Sequence, residues 1–108
     1  MNTKPPSSLA EFEARLLSFL NQVLPGLDRR GRSYPRIESS ALLFETGIVD
    51  SLSILHLIAF IEAQIGRSIP DQMIIPPNFR SPNAIVREFW SLLANENGVN
   101  QNRISITN

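Results

Sequence analysis

The sequence predicts an all-α fold: a small four-helix bundle with one short helix and no sheet. Three observations predict it. Apolar residues recur at helical spacing in three separate stretches, each stretch has a recognisable start or stop signal, and no region is strand-rich. At 108 residues the chain suits a single domain. With 43% hydrophobic and 19% charged residues it can bury a core and is not of disordered composition.

Residues 1–7 are polar and proline-bearing and read as a loose tail ahead of a domain at 8–94. Ser8-Leu9-Ala10-Glu11 fits a capping box, with Ser8 as N-cap and Glu11 at the third helical position. Leu9, Phe12, Leu16, Leu20 and Val23 then form the buried stripe of a first helix over about residues 9–24. Arg15, Ser18 and Gln22 fall on its opposite side, and Pro25-Gly26 stops it.

A long connection follows, to Thr46. Gly31 and Pro35 block a helix there, and Arg29, Arg30, Arg32 and Arg36 crowd residues 29–36. The arginines fit either a solvated loop or a docking patch for an acidic partner surface. Leu42, Leu43 and Phe44 are expected to fold back as apolar anchors, in one short helical turn.

The second helix is expected over about residues 51–65, ended by Gly66 as a C-cap glycine. Ile54, Leu57, Ile58, Ile61 and Ile65 share one face, the core side. Leu52, His56, Ala59 and Ala63 lie on the far side, flanked by Leu55 and Phe60. Glu62 is the one acidic residue along this helix and sits at the edge. An uncharged, partly apolar outer face reads as a contact surface, with a wider core under the long loop as the competing account.

Next, Ile69 anchors a turn, Met73, Ile74 and Ile75 are expected to pack inward, and residues 76–80 form a short third helix burying Phe79. Ser81-Pro82 starts the last helix, over about residues 82–94, with Ile85, Val86, Phe89, Leu92 and Leu93 buried. Residues 95–108 are weakly patterned and read as a flexible tail.

Composition removes several function classes. The chain has no cysteine and a single histidine, His56, so thiolate chemistry and multi-histidine metal sites are excluded. Ten basic and ten acidic residues balance to zero net charge, and nothing suggests nucleic-acid binding. No apolar run approaches a membrane span, and residues 1–6 lack the apolar stretch of a secretory signal, so a cytoplasmic protein is expected.

Chemistry concentrates at Phe44-Glu45-Thr46-Gly47-Ile48-Val49-Asp50-Ser51-Leu52. A glycine-containing turn ends in Asp-Ser, and an apolar helical pattern starts at once. Asp50 is placed to cap that helix, and Ser51 stands on its first turn, where a phosphate on the hydroxyl would lie near the positive helix end. Ser51 is poorly placed as an enzyme nucleophile. No Gly-x-Ser-x-Gly elbow surrounds it, and His56 lies about 140° away around the helix axis. From spacing alone, a helix-start serine needs no function.

Asp50-Ser51-Leu52, with Gly47 before it and the apolar helix after it, resembles the attachment motif of acyl carrier proteins. The resemblance continues through Phe60-Ile61-Glu62, Gly66, Ile69-Pro70-Asp71 and Asn78-Phe79-Arg80-Ser81, and covers roughly residues 44–90. It implies a bundle of acyl-carrier type in which Ser51 carries 4′-phosphopantetheine from coenzyme A, with Asp50 and Leu52 beside the arm. It further implies a monomeric carrier, not an enzyme, that holds an acyl or aminoacyl group as a thioester. The implied partners are a phosphopantetheinyl transferase, an acyl- or aminoacyl-loading ligase and downstream acyl-accepting or modifying enzymes. Leu52, Leu55, His56, Ala59 and Ala63 would face those partners. Fatty-acid carriers are usually acidic, whereas this chain is neutral and lacks a Gly-Gly-x-Ser site. The Asp50-Ser51-Leu52 site with Asn78-Phe79-Arg80-Ser81 before the last helix resembles free-standing carriers of specialised pathways, polyketide or nonribosomal-peptide biosynthesis among them. The competing class is a helical interaction module that uses the outer face of the second helix without an arm.

Overall fold

The computed structural model describes residues 4–27 and 35–98, with the backbone alone for 94–98. All regular structure among them is helical, and no strand is present among the described residues. Helix α1 (Leu9–Ser18) continues through a π-helical segment, Phe19–Val23, into α2 (Leu24–Leu27). Helix α3 spans Ser53–Ile65, single 3₁₀ turns occupy Asp71–Met73 and Pro76–Phe79, and α4 spans Pro82–Gly98. The expected short third helix is thus one 3₁₀ turn of four residues, beginning on two prolines and burying Phe79.

The start of α1 follows the capping-box expectation in one direction only. Ser8 Oγ accepts the Glu11 N–H at 3.1 Å, but the Glu11 carboxylate reaches back to Ser7, taking its N–H at 2.9 Å and its hydroxyl at 2.6 Å. Arg15 also pairs with Glu11 and donates to the Lys4 carbonyl at 2.6 Å. Residues 4–7, expected as part of a loose tail, are therefore tied to α1, and Pro6 is buried.

Proline 25 does not stop the first helix. In the π segment the Leu24 N–H donates five residues back, to the Phe19 carbonyl. Pro25 follows directly in α2, so the break in the α ladder falls where a residue without an N–H could not have continued it. The same turn changes the buried stripe. Phe12, Leu16, Phe19, Leu20 and Leu24 are buried, whereas the expected Leu9 and Val23 are exposed. A π turn takes in more than 3.6 residues, so the core-facing position after Leu20 falls on Leu24 instead of Val23. Arg15 is not on a solvent face either: it is half-buried and donates to the Gln64 side chain of α3 at 2.7 Å.

The core is shared by α1, α3, α4 and the connection between α1 and α3. Phe79 and Phe89 meet with ring centroids 5.2 Å apart, and Phe12 meets Trp90 at 6.3 Å. Leu57, Ile61 and Ile65 of α3 are buried as expected, with Ile54 and Ile58 half-buried. In α4, Ser81 Oγ accepts the Ala84 N–H at 3.1 Å, and Ile85, Val86, Phe89 and Leu93 are buried. That helix runs four residues beyond the expected end. The final residues, 99–108, lie outside the described residues.

Four apolar residues of the connecting segments, Leu42, Phe44, Ile74 and Ile75, are exposed against expectation. Only Leu43 of the Leu42-Leu43-Phe44 trio is buried, and Ile74 and Ile75 are exposed. Met73 alone of its trio packs partly against the core. These short segments are irregular, and consecutive side chains of such a backbone do not all point inward.

Two measurements test these assignments. Phe89→Ala is expected to cost on the order of 3 kcal/mol or more in denaturant unfolding, as loss of a fully buried aromatic does. The Glu11 carboxyl is held down from 4.5 to about 2, by the Ser7 hydroxyl and N–H first and Arg15 next. A carboxyl with a depressed folded pKa stabilises the fold above its unfolded value. That contribution is complete above about pH 4.5 and is lost as pH falls through about 2. Melting curves of Glu11→Gln should accordingly show a weaker pH dependence across that window than the parent.

Candidate functional site at the start of helix α3

The described part of the connection is held by side chains and isolated backbone bonds. The Asn21 carboxamide of the π segment accepts the Ile37 N–H at 2.8 Å and donates to the Ile37 carbonyl at 3.2 Å. Its Nδ2 also donates to the Leu17 carbonyl at 2.9 Å. Ser39 donates to Glu13 through its hydroxyl and accepts the Asn83 N–H on its carbonyl at 2.9 Å. The Leu43 N–H donates to the Arg80 carbonyl at 2.8 Å. Ile37, Leu43, Ile48 and Val49 are buried beneath these bonds. Of the four arginines, Arg29, Arg30 and Arg32 lie outside the described residues, while Arg36 is exposed and 3.8 Å from Glu38.

The turn before Ser51 closes on itself. The Val49 N–H donates to the Leu43 carbonyl at 2.9 Å, and the Gly47 N–H donates to the Phe44 carbonyl at 3.0 Å. Gly47 has φ 80°, a left-handed backbone that favours glycine. With Ile48 and Val49 buried just after it, the chain reaches Asp50 in a defined direction.

Asp50 is the functional N-cap. Its Oδ1 accepts from the Leu52 N–H at 3.0 Å, the Ser53 N–H at 2.9 Å and the Ser53 hydroxyl at 3.1 Å. Its carbonyl accepts the Ile54 N–H at 2.9 Å, the first bond of helical register. The Asp50 N–H donates back to Ser53 Oγ at 2.9 Å. This is a reciprocal box with serine where glutamate or glutamine usually stands. The regular ladder begins at Ser53, two residues later than expected for the second helix, but the cap lies where the sequence predicts. The Asp50 carboxylate already takes the Leu52 and Ser53 N–H groups, so a phosphate on Ser51 would lie beside these donors instead of being cradled by them.

The box separates two neighbouring serines. Ser51 is exposed. Ser53 is 7% exposed, with its hydroxyl engaged by Asp50. The Asp-x-x-Ser spacing was visible in the sequence as a cap signal, yet Ser53 was not anticipated as part of the site. Asn21 gave no comparable signal, because its partner lies sixteen residues away.

Leu52, Leu55, His56, Ala59 and Ala63 are all exposed, with Leu52 at 73% and Leu55 at 63%. Phe60 does not join them: it is half-buried and stacked on Phe19, with centroids 4.5 Å apart. Ala63 lines a groove of about 920 Å³ between α1 and α3, with Ala14, Phe19 and Phe60. Glu62 turns to the fold and accepts the Ile69 N–H at 2.9 Å. No group of three or more metal-ligating side chains occurs among the described residues.

No protein-family model matches the chain, and no curated protein matches it in sequence.

Asp50→Ala removes the acceptor for two helix-start N–H groups. It should cost about 1 kcal/mol, up to about 2, in chemical denaturation. A variant as stable as the parent would show that the cap contributes nothing.

Proposed function

We propose that the chain is a group carrier with 4′-phosphopantetheine joined to the Ser51 hydroxyl. One observation carries this reading: an exposed serine hydroxyl stands at a capped, internally anchored helix start, while the adjacent Ser53 hydroxyl is buried and engaged. The motif resemblance over residues 44–90 supplies the chemical identity of the group. Attachment joins Ser51 Oγ to the phosphate of coenzyme A with departure of the nucleotide portion, and the hydroxyl proton passes to a separate transferase. When bound, the arm supplies a thiol that holds an acyl or aminoacyl group as a thioester. The chain supplies presentation: Asp50 fixes the helix start, and Leu52 lies beside the attachment point.

In this reading Pro76–Phe79 is the short third helix of a four-helix bundle of acyl-carrier type. Partner enzymes, the transferase and a loading ligase first, dock on Leu52, Leu55, His56 and Ala59. Burial of apolar area, more than charge, governs that contact. The protein acts as a cytoplasmic monomer in a specialised biosynthetic pathway. No helix among the described residues is long and apolar enough to cross a membrane. The exposure of Leu52 and Leu55 favours one second reading, an interaction module that uses the same face without an arm.

Incubation with coenzyme A and a broad-range transferase should add one phosphopantetheinyl group, read by intact mass. Ser51→Ala should abolish the addition and Ser53→Ala should retain it. An unmodified mass with several transferases would favour the interaction module. On holo protein, Ala59→Glu should lower ligase-catalysed loading by about tenfold or more without unfolding the domain, because the interface would desolvate an unpaired carboxylate. Loading should also change little across a salt series.

A further inference from the structure

Helices α1 and α3 lie antiparallel, since Arg15 meets Gln64 and Phe19 meets Phe60. The groove of about 920 Å³ between them is lined by the stacked Phe19 and Phe60 and by the exposed Ala14, Ser18, Val23 and Ala63. It runs from Glu11 to Val23, about 18 Å of helix at 1.5 Å per residue. The chain also carries a ridge of that length. Helix α3 has 13 residues, about 20 Å, and its outer face presents Leu55, His56 and Ala59, with Leu52 just ahead of its first turn.

We propose that the groove receives α3 of a second copy of this chain, in a twofold pair where each α3 lies between α1 and α3 of the other. Three properties of the face fit its own copy. Groove and ridge adjoin along one helix, because Ala63 lines the groove and continues the outer face. One α3 entering a groove therefore completes the converse contact as well, and the pair closes instead of growing into a chain. The face is also graded in size, with Leu52 and Leu55 at one end and Ala59 and Ala63 towards the other. Twofold pairing runs the two α3 helices antiparallel and sets the large end of one over the small end of the other, as interdigitated packing requires.

Charge is the third property. A face that meets its own copy sets like beside like, so unbalanced charge would repel. Here Glu11 is paired with Arg15, Arg15 also donates to Gln64 at 2.7 Å, and Glu62 is turned to the Ile69 N–H at 2.9 Å. A footprint two helices wide and about 20 Å long is on the order of 400 Å² per copy. That is about half of the ~800 Å² per partner of a stable complex, so the pair is weak, with a Kd on the order of 0.1 mM. The monomer remains the form that meets other proteins, and the pair opens before they reach Leu52 and Leu55. The pairing does not depend on an arm at Ser51.

Sedimentation equilibrium of the full chain, from about 10 µM to about 1 mM, tests the pairing. The mean mass should rise from 12.1 kDa towards twice that value and no further. Ala14→Glu on α1 and Ala63→Glu on α3 should each hold the mass at the monomer value throughout, because twofold contact would bury an unpaired carboxylate from each copy. Both positions are exposed, so melting curves should stay those of the parent, and should one variant not fold, the other decides. Ser91→Glu, on the exposed side of α4, adds the same charge away from the groove and should associate like the parent. A monomer mass at every concentration, growth beyond the dimer, association that survives either folded groove variant, or its loss in Ser91→Glu would overturn the proposal. Phosphopantetheine attachment, read by intact mass, is independent of each of these results.

Discussion

The segment between Pro35 and Asp50 has no ladder of its own to satisfy its backbone, and the rest of the structure depends on how it is held. Buried N–H and C=O groups need partners. The Asn21 carboxamide acts as a surrogate strand edge, giving Ile37 both an acceptor and a donor. Ser39 and Leu43 extend the attachment to α4 and its approach through Asn83 and Arg80. Four apolar side chains, Ile37, Leu43, Ile48 and Val49, then drive the segment into the core. Residues 35–50 are therefore fastened to the helices, with Ile37, Leu43, Ile48 and Val49 buried and much of the remainder exposed.

The π segment makes that attachment possible. It widens the helix where Asn21 sits, lets the chain continue through Pro25, and rotates Leu24 onto the core face in place of Val23. Asn21 Nδ2 bonds the Leu17 carbonyl as well as Ile37, which joins the helix and the connection at one side chain. Local departure from ideal helix geometry and long-range anchoring are thus one feature.

At the far end of the connection, its rigidity is converted into the presentation of one hydroxyl. Ile48 and Val49 fix the approach, Asp50 gathers the first-turn donors, and Ser53 closes the box from the buried side. Ser51 lies inside this bracket and faces solvent. The apolar residues after it, Leu52 and Leu55, keep most of their surface exposed, which is the physical basis for reading that face as a contact surface.

The helices, their caps at Ser8, Asp50 and Ser81, the C-cap at Gly66 and the inward face of α3 were legible in the sequence, because each depends on residues within about one turn of one another. The exposed outer face at Leu52, Leu55, His56 and Ala59 was legible for the same reason: it is what the helical period leaves over. What the sequence did not disclose depends on contacts across the fold. The π turn, the exposure of Val23, Ile74 and Ile75, the tether of residues 4–7, the Asn21–Ile37 pairing and the inward role of Arg15 and Gln64 all involve partners or a register set by packing. Sequence identified Ser51 as the residue of interest, and tertiary structure decided which of two neighbouring serines is accessible, by burying Ser53 under the same box that caps the helix.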